Sequence, residues 1–176
     1  MFLELKQIRP DGERIERQCE PSALRSPDDE FVVTNAVDLV IDVSKKGEEY
    51  RLRGRISTTL ELVCSRCVEA FSLPVATDFD LRYLPTSADV GAADREIADD
   101  ELSTTYYHDE VIDLGLLIRE QLYLVLPMKP LCRAECAGLC AACGTNRNSG
   151  SCACDAEWRD PRLAGLGALL KDRSDE

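Results

Sequence analysis

A chain of 176 residues and 19.6 kDa, 44% hydrophobic, has room for one domain with a core, or one domain plus a small appended module, but not for two independent cores. Its 21 Lys and Arg against 33 Asp and Glu leave a formal charge of -12, a field that repels phosphate backbones and argues against unaided binding to naked nucleic acid. Nine cysteines are far above ordinary usage and need a chemical explanation.

The N-terminal stretch has no apolar core of signal-peptide length, and no apolar run reaches the roughly 18 residues of a membrane span, so a cytoplasmic chain with no membrane contact is expected. Candidate strands come first, at 2–8 and 31–33. Over 37–43 the odd positions Val37, Leu39, Ile41 and Val43 are apolar with Asp38 and Asp42 between them, the period of a half-buried strand. A polar turn at 45–48 leads into a second β-rich run over 50–63, which predicts an antiparallel hairpin, and 75–83 adds another strand. Arg51, Arg53 and Arg55 share parity and line one face. Pairing symmetric about 45–48 sets Arg51 opposite Asp42 and Arg55 opposite Asp38, as cross-strand ion pairs; contact with RNA phosphate is the alternative.

Periodicity is then lost. An exposed acidic loop is expected at about 85–110, and residues 77–113 carry eleven acids against Arg82 and Arg95, nine of the twelve net negative charges. A helix is predicted at about 111–126, with Val111, Leu114, Ile118, Leu122 and Val125 at helical spacing, Asp109, Glu110 and Asp113 near its start, and Pro127 ending it. A second, short helix begins at Asp160-Pro161 and carries Leu163, Leu166, Leu169 and Leu170. The fold class is therefore α+β: an antiparallel sheet or small barrel, one amphipathic helix, and a zinc-stapled Cys-rich segment ending in a short helix. The expected division is a core domain at 1–130 and a Cys-rich segment at 131–176 packed on it.

Eight cysteines form two groups: Cys64 and Cys67 as a CxxC where the long strand run ends, and Cys132, Cys136, Cys140, Cys143, Cys152 and Cys154. In a reducing compartment such clusters are metal ligands or redox groups rather than staples. Zinc takes four tetrahedral thiolates, so eight divide into two sites. The economical partition joins Cys140 and Cys143 to Cys152 and Cys154 in a local knuckle, and the distant Cys64 and Cys67 to Cys132 and Cys136. Swapped partners, or one site with spare thiols, fit the spacing as well. Cys19 is left as a free thiol, and His108, the sole histidine, reads as a loop residue.

No nucleotide-binding, hydrolase or metalloprotease motif is present, and no small-molecule substrate is expected. A thiol redox enzyme or zinc-dependent hydrolase is one rival reading, and a direct RNA-binding module using Arg51, Arg53 and Arg55 is another. The nearly neutral Cys-rich stretch, with Lys129, Arg133 and Arg147, is the better candidate contact surface.

The pattern Leu126-Pro127-x2-Pro130-x-Cys132-x3-Cys136-x-Gly138-Leu139-Cys140-x2-Cys143-Gly144-x-Asn146-x-Asn148-x3-Cys152-x-Cys154, followed by Asp160-Pro161-Arg162 and preceded by Leu62-x-Cys64-x2-Cys67, resembles the bacterial YceD family. These are large ribosomal RNA subunit accumulation proteins, formerly a domain of unknown function. The resemblance covers nearly the whole chain. It implies a role in large-subunit ribosome biogenesis, with no established catalytic activity. The expected partner is a large ribosomal subunit precursor or a basic ribosomal protein, with ribosomal RNA as a further candidate.

Overall fold

A computed structural model of the chain describes residues 1–27, 29–86, 103–154 and Arg162. The acidic run at 94–101 and, apart from Arg162, the expected helix at 160–170 lie outside the described residues. The chain divides into two compact units, Met1–Val63 with Ala70–Pro130, and Cys64–Glu69 with Leu131–Glu176. A short stretch from the middle of the chain thus groups with its C-terminal part.

The first unit is built on a six-stranded sheet. Strands β1 (Phe2–Glu4), β2 (Glu13–Cys19) and β3 (Val32–Val33) precede the hairpin of β4 (Val37–Lys46) and β5 (Glu49–Val63). There follow β6 (Ala70–Pro85), β7 (Thr104–Tyr107), β8 (Val111–Asp113) and the helix α1 (Leu114–Val125). The sheet order is β2-β4-β5-β6-β7, with β3 beside the far end of β5, while β1 and β8 form a separate pair. The sheet is open among the described residues. All its pairs are antiparallel except β6 with β7, which run parallel.

Alternation decides which face is which. Val37, Leu39, Ile41 and Val43 of β4, and Tyr50, Leu52, Ile56, Leu60 and Leu62 of β5, are buried on one side. Val75, Phe79 and Tyr83 of β6 extend that layer, and Leu114, Leu117, Ile118 and Leu122 of α1 join the same apolar cluster. Gly54 falls in this inward series, where a Cβ would meet the Val40 carbonyl oxygen at 2.3 Å and Phe79 Cζ at 2.7 Å, so no side chain fits.

The hairpin register differs from the symmetric expectation by two residues. Gly47, at φ 65, opens a two-residue turn, and pairing starts at Lys46 with Glu49. Arg51 therefore faces Ser44, Arg53 faces Asp42 and Arg55 faces Val40. A shift of two preserves parity, so the three arginines do share the polar face, but their carboxylates come from β6 instead. Arg51 makes a bidentate contact with Asp80 at 2.7 and 2.8 Å, Arg53 reaches the same carboxylate at 2.9 Å, and Arg55 binds Asp78 bidentately at 2.7 Å. These guanidiniums hold both carboxyls below the ordinary aspartate value.

Two further boundaries move. Thr104–Tyr107 was expected in the acidic loop, yet pairs with Arg82–Pro85. Residues 111–113, expected in the helix, are strand β8, drawn into pairing with β1 through Leu3 and Ile112, both buried. Asp113 then caps α1, its Oδ1 accepting from the N–H groups of Gly115 at 2.8 Å and Leu116 at 3.3 Å. The helix ends at Val125, before Pro127. No helix among the described residues is long and apolar enough to cross a membrane.

Candidate metal centres

Among the described residues, the second unit has little regular structure and is organised around cysteine sulfurs. Cys64, Cys67, Cys132 and Cys136 form one group and Cys140, Cys143, Cys152 and Cys154 a second, with the sulfurs of each group all within 4.8 Å of one another. In the first, Cys64 to Cys136 and Cys67 to Cys132 are each 3.8 Å apart. Four sulfurs at a zinc–sulfur bond of about 2.3 Å on a tetrahedron stand about 3.8 Å apart, so the spacing fits a four-thiolate metal centre.

Both CxxC segments fold into the same turn. In the first, the Val68 N–H donates to the Cys64 carbonyl at 2.9 Å and the Cys64 N–H to Glu69 at 2.9 Å. In the second, Gly144 donates to Cys140 at 2.9 Å and Cys140 to Thr145 at 2.8 Å. The residue after the second cysteine must be left-handed: Gly144 has φ 73, and Val68 adopts φ 61 despite its branched side chain.

Side chains outside the ligand set lock these loops. The Arg66 guanidinium donates to the carbonyls of Ala134 and Cys136, tying the first CxxC to the loop carrying the other two sulfurs of its group. Gly138, at φ 69, lets Arg66 approach, since a Cβ there would meet the Arg66 carbonyl oxygen at 3.0 Å. Asn148 donates to Cys136 Sγ at 3.2 Å, and the Thr145 hydroxyl lies 3.1 Å from Cys143 Sγ. The sequence pattern named Gly138 and Asn148 but left Arg66 and Thr145 at unspecified positions; nothing in periodicity or charge marked their roles.

The electrostatics within each group are uneven. Burial is the largest influence on Cys64 and pushes its thiol up, yet backbone hydrogen bonds from Cys132, Cys67 and Arg66 together hold it down to about 6. Cys132, half-buried beside three other sulfurs, is pushed up to about 12 by desolvation first and by those sulfurs next. In the second group the Thr145 hydroxyl and N–H bring Cys143 down to about 6, while the neighbouring Cys143 sulfur pushes Cys154 up to about 12. Each cluster thus has a ready thiolate and a reluctant one. A divalent cation replaces their mutual repulsion with attraction, which is the chemistry such a donor set supports.

The remaining candidates lie elsewhere. Cys19 is buried at the end of β2, and burial raises its thiol. His108 follows β7 and sits beside the Thr86 hydroxyl, at 3.2 Å and 3.3 Å from its two ring nitrogens. Neither belongs to a sulfur group.

Residues 52–170 match the family model described as Large ribosomal RNA subunit accumulation protein YceD. The Large ribosomal RNA subunit accumulation protein YCED homolog 1, chloroplastic, of Arabidopsis thaliana is 28% identical over 154 residues, covering 76% of this chain and 48% of the relative. Its namesake in Zea mays is 31% identical over 137 residues, covering 65% and 47% respectively. An uncharacterized protein of Mycobacterium tuberculosis is 31% identical over 140 residues, 79% of this chain and 64% of its own. The chain spans about half the length of the two plant relatives. No solved structure matches it.

Proposed function

The chain belongs to the YceD family of large ribosomal RNA subunit accumulation proteins, and from that premise we propose that it is a non-enzymatic ribosome biogenesis factor. It acts in the cytoplasm, binds a large-subunit precursor or a basic ribosomal protein, and supports accumulation of the large-subunit ribosomal RNA. Its two cysteine groups hold two structural zinc ions.

The gathering of eight sulfurs into two sets of four carries the non-enzymatic reading. Four protein sulfurs complete a tetrahedral shell, whereas a catalytic zinc keeps one position for water or substrate. When bound, zinc supplies a fixed crosslink of loops that have almost no regular structure of their own. The direct RNA-binding alternative is disfavoured on the sheet, since Arg51, Arg53 and Arg55 are each committed to Asp78 or Asp80. The same pairing lowers the free negative charge of residues 77–113, because two of its eleven acids are matched by arginines of β5.

Depleting the protein and profiling ribosomal subunits tests the proposal. A reduced large-subunit peak with reduced large ribosomal RNA is expected; a normal profile overturns it. Elemental analysis of the purified chain tests the metal, with about two zinc per chain expected. A zinc-free chain with a reversible Cys64 to Cys67 disulfide favours the redox alternative instead.

A further inference from the structure

The segment between Cys143 and Cys152 is closed at both ends by sulfurs of the second group, yet its two asparagines serve the first. The Asn148 side-chain amide donates to Cys136 Sγ at 3.2 Å and to Asn146 Oδ1 at 2.9 Å. Its own oxygen accepts from the Ala137 N–H at 2.9 Å and from Arg133 at 2.7 Å, both next to Cys136 or in the turn leading to it. Asn146 donates to Glu69, two residues beyond Cys67, at 3.1 Å, and its Oδ1 also accepts from the Asn148 N–H at 2.9 Å. The Arg147 N–H donates to Gly138, between the two groups in sequence, at 2.9 Å.

All of these bonds but the two to Asn146 Oδ1, which stay within the loop, leave the loop of the second group and end on the first group's loops or on Gly138 between the groups. An N–H aimed at a thiolate lowers its charge and fixes its direction, the service that neighbouring hydrogen bonds perform for metal ligands. The chain of contacts therefore has a thermodynamic meaning. A metal that draws Cys143 and Cys152 together closes the 144–151 loop, and the closed loop presents Asn148 to Cys136.

We propose that Asn148 is a positioning residue that couples the two metal centres, so that loading the second strengthens the first. This inference rests on the metal reading given above. Linkage makes the effect mutual, with the first centre strengthening the second by the same factor.

The test uses the full-length chain, stripped with chelator under reducing conditions and titrated with cobalt(II), with thiolate-to-cobalt absorption reporting affinity and native mass spectrometry reporting stoichiometry. The wild type is expected to pass from metal-free to two-metal species with little one-metal form. Asn148→Ala accumulates the one-metal form, and binding at the first centre weakens about 10- to 100-fold. Asn148→Asp keeps the acceptor for Ala137 and Arg133 but loses the donor to Cys136, and behaves like Asn148→Ala. Cys152→Ser removes the second centre and weakens the first to the same degree; adding Asn148→Ala to it causes no further loss. Independent binding in the wild type, an Asn148→Ala titration like wild type, or additive losses in the double variant each overturn the coupling while leaving two metal centres intact. A chain showing no thiolate-to-cobalt absorption overturns the metal reading itself.

Discussion

The ring of Phe79 lies against Gly54 so closely that a Cβ on the glycine would stand 2.7 Å from Cζ. The same Cβ would stand 2.3 Å from the carbonyl oxygen of Val40, which is backbone and cannot turn aside. Gly54→Ala therefore overpacks the strand β5 and destabilises the first unit by about 1–3 kcal/mol. Urea unfolding measures it. Trimming the ring with Phe79→Ala does not rescue Gly54→Ala, because the carbonyl remains; full rescue would show that the ring alone excludes the side chain.

Asp29 gives the fold a dependence on acid. Its side chain is 4% exposed and accepts from Arg119 at 2.6 Å and Tyr123 at 2.8 Å, both on α1, and from the Ser26 N–H at 2.9 Å. Burial by itself raises the carboxyl, but these bonds overcome it and hold it below the ordinary aspartate value. A depressed carboxyl contributes stability that is present above the unfolded value of about 3.9 and is lost as pH falls through the folded one. Asp29→Asn should cost on the order of 1–2 kcal/mol at pH 7, toward the low end for charge-assisted bonds because Arg119 is partly in water. In denaturation curves that difference should begin to shrink below about pH 4 and close only once the pH is below the folded-state value.

Val68 holds a left-handed conformation at φ 61, where the matching turn of the second group has Gly144, and is 64% exposed. Little packing is lost by removing its side chain, while the conformational penalty of about 1–2 kcal/mol disappears. After the extra unfolded-state freedom of glycine, Val68→Gly should stabilise the metal-loaded second unit by about 0.5–1 kcal/mol. Thermal unfolding of the zinc-loaded chain reads this directly, and a lowered midpoint contradicts it.

The two sulfur groups differ in shelter. Cys64, Cys67 and Cys136 are buried, whereas Cys143 and Cys154 are exposed. Chelator should reach the second centre first. Timed alkylation followed by mass spectrometry should label Cys143 and Cys154 before Cys64 and Cys67, and simultaneous labelling would count against the difference in access.

Much of this architecture was legible because it rests on local signals. Alternation over 37–43 located the β4–β5 hairpin, and helical spacing located α1. The failures have specific causes. β2 reads Glu-Arg-Ile-Glu-Arg-Gln-Cys, with only Ile15 and Cys19 to suggest a strand, because it lies at the edge of the sheet. The helix start was misplaced although its capping signal, Asp113, was present; the pairing of Val111–Asp113 with the distant β1 outweighed the helical spacing. The register of Arg51, Arg53 and Arg55 turned on whether the bend centred on Gly47-Glu48 or one residue earlier, a choice that alternation cannot make. Among the cysteines, spacing reduced the pairings to a few, but the work of Asn146, Asn148 and Arg66 depends on loops folding back on one another.

The grouping of Cys64 and Cys67 with Cys132 and Cys136 also makes a ring. A metal there ties together points about 65 residues apart, and β6, β7, β8 and α1 all lie on the strand of chain so enclosed. A covalent tie across that span restricts the unfolded chain by about 4 kcal/mol on a loop-closure basis. A metal held by the first group would therefore be a clasp on polypeptide that, among the described residues, contributes no ligand to it. It can fasten only after Cys136 has been synthesised, so during translation the sheet's later strands and the helix emerge on an open thread that the last part of the chain draws shut.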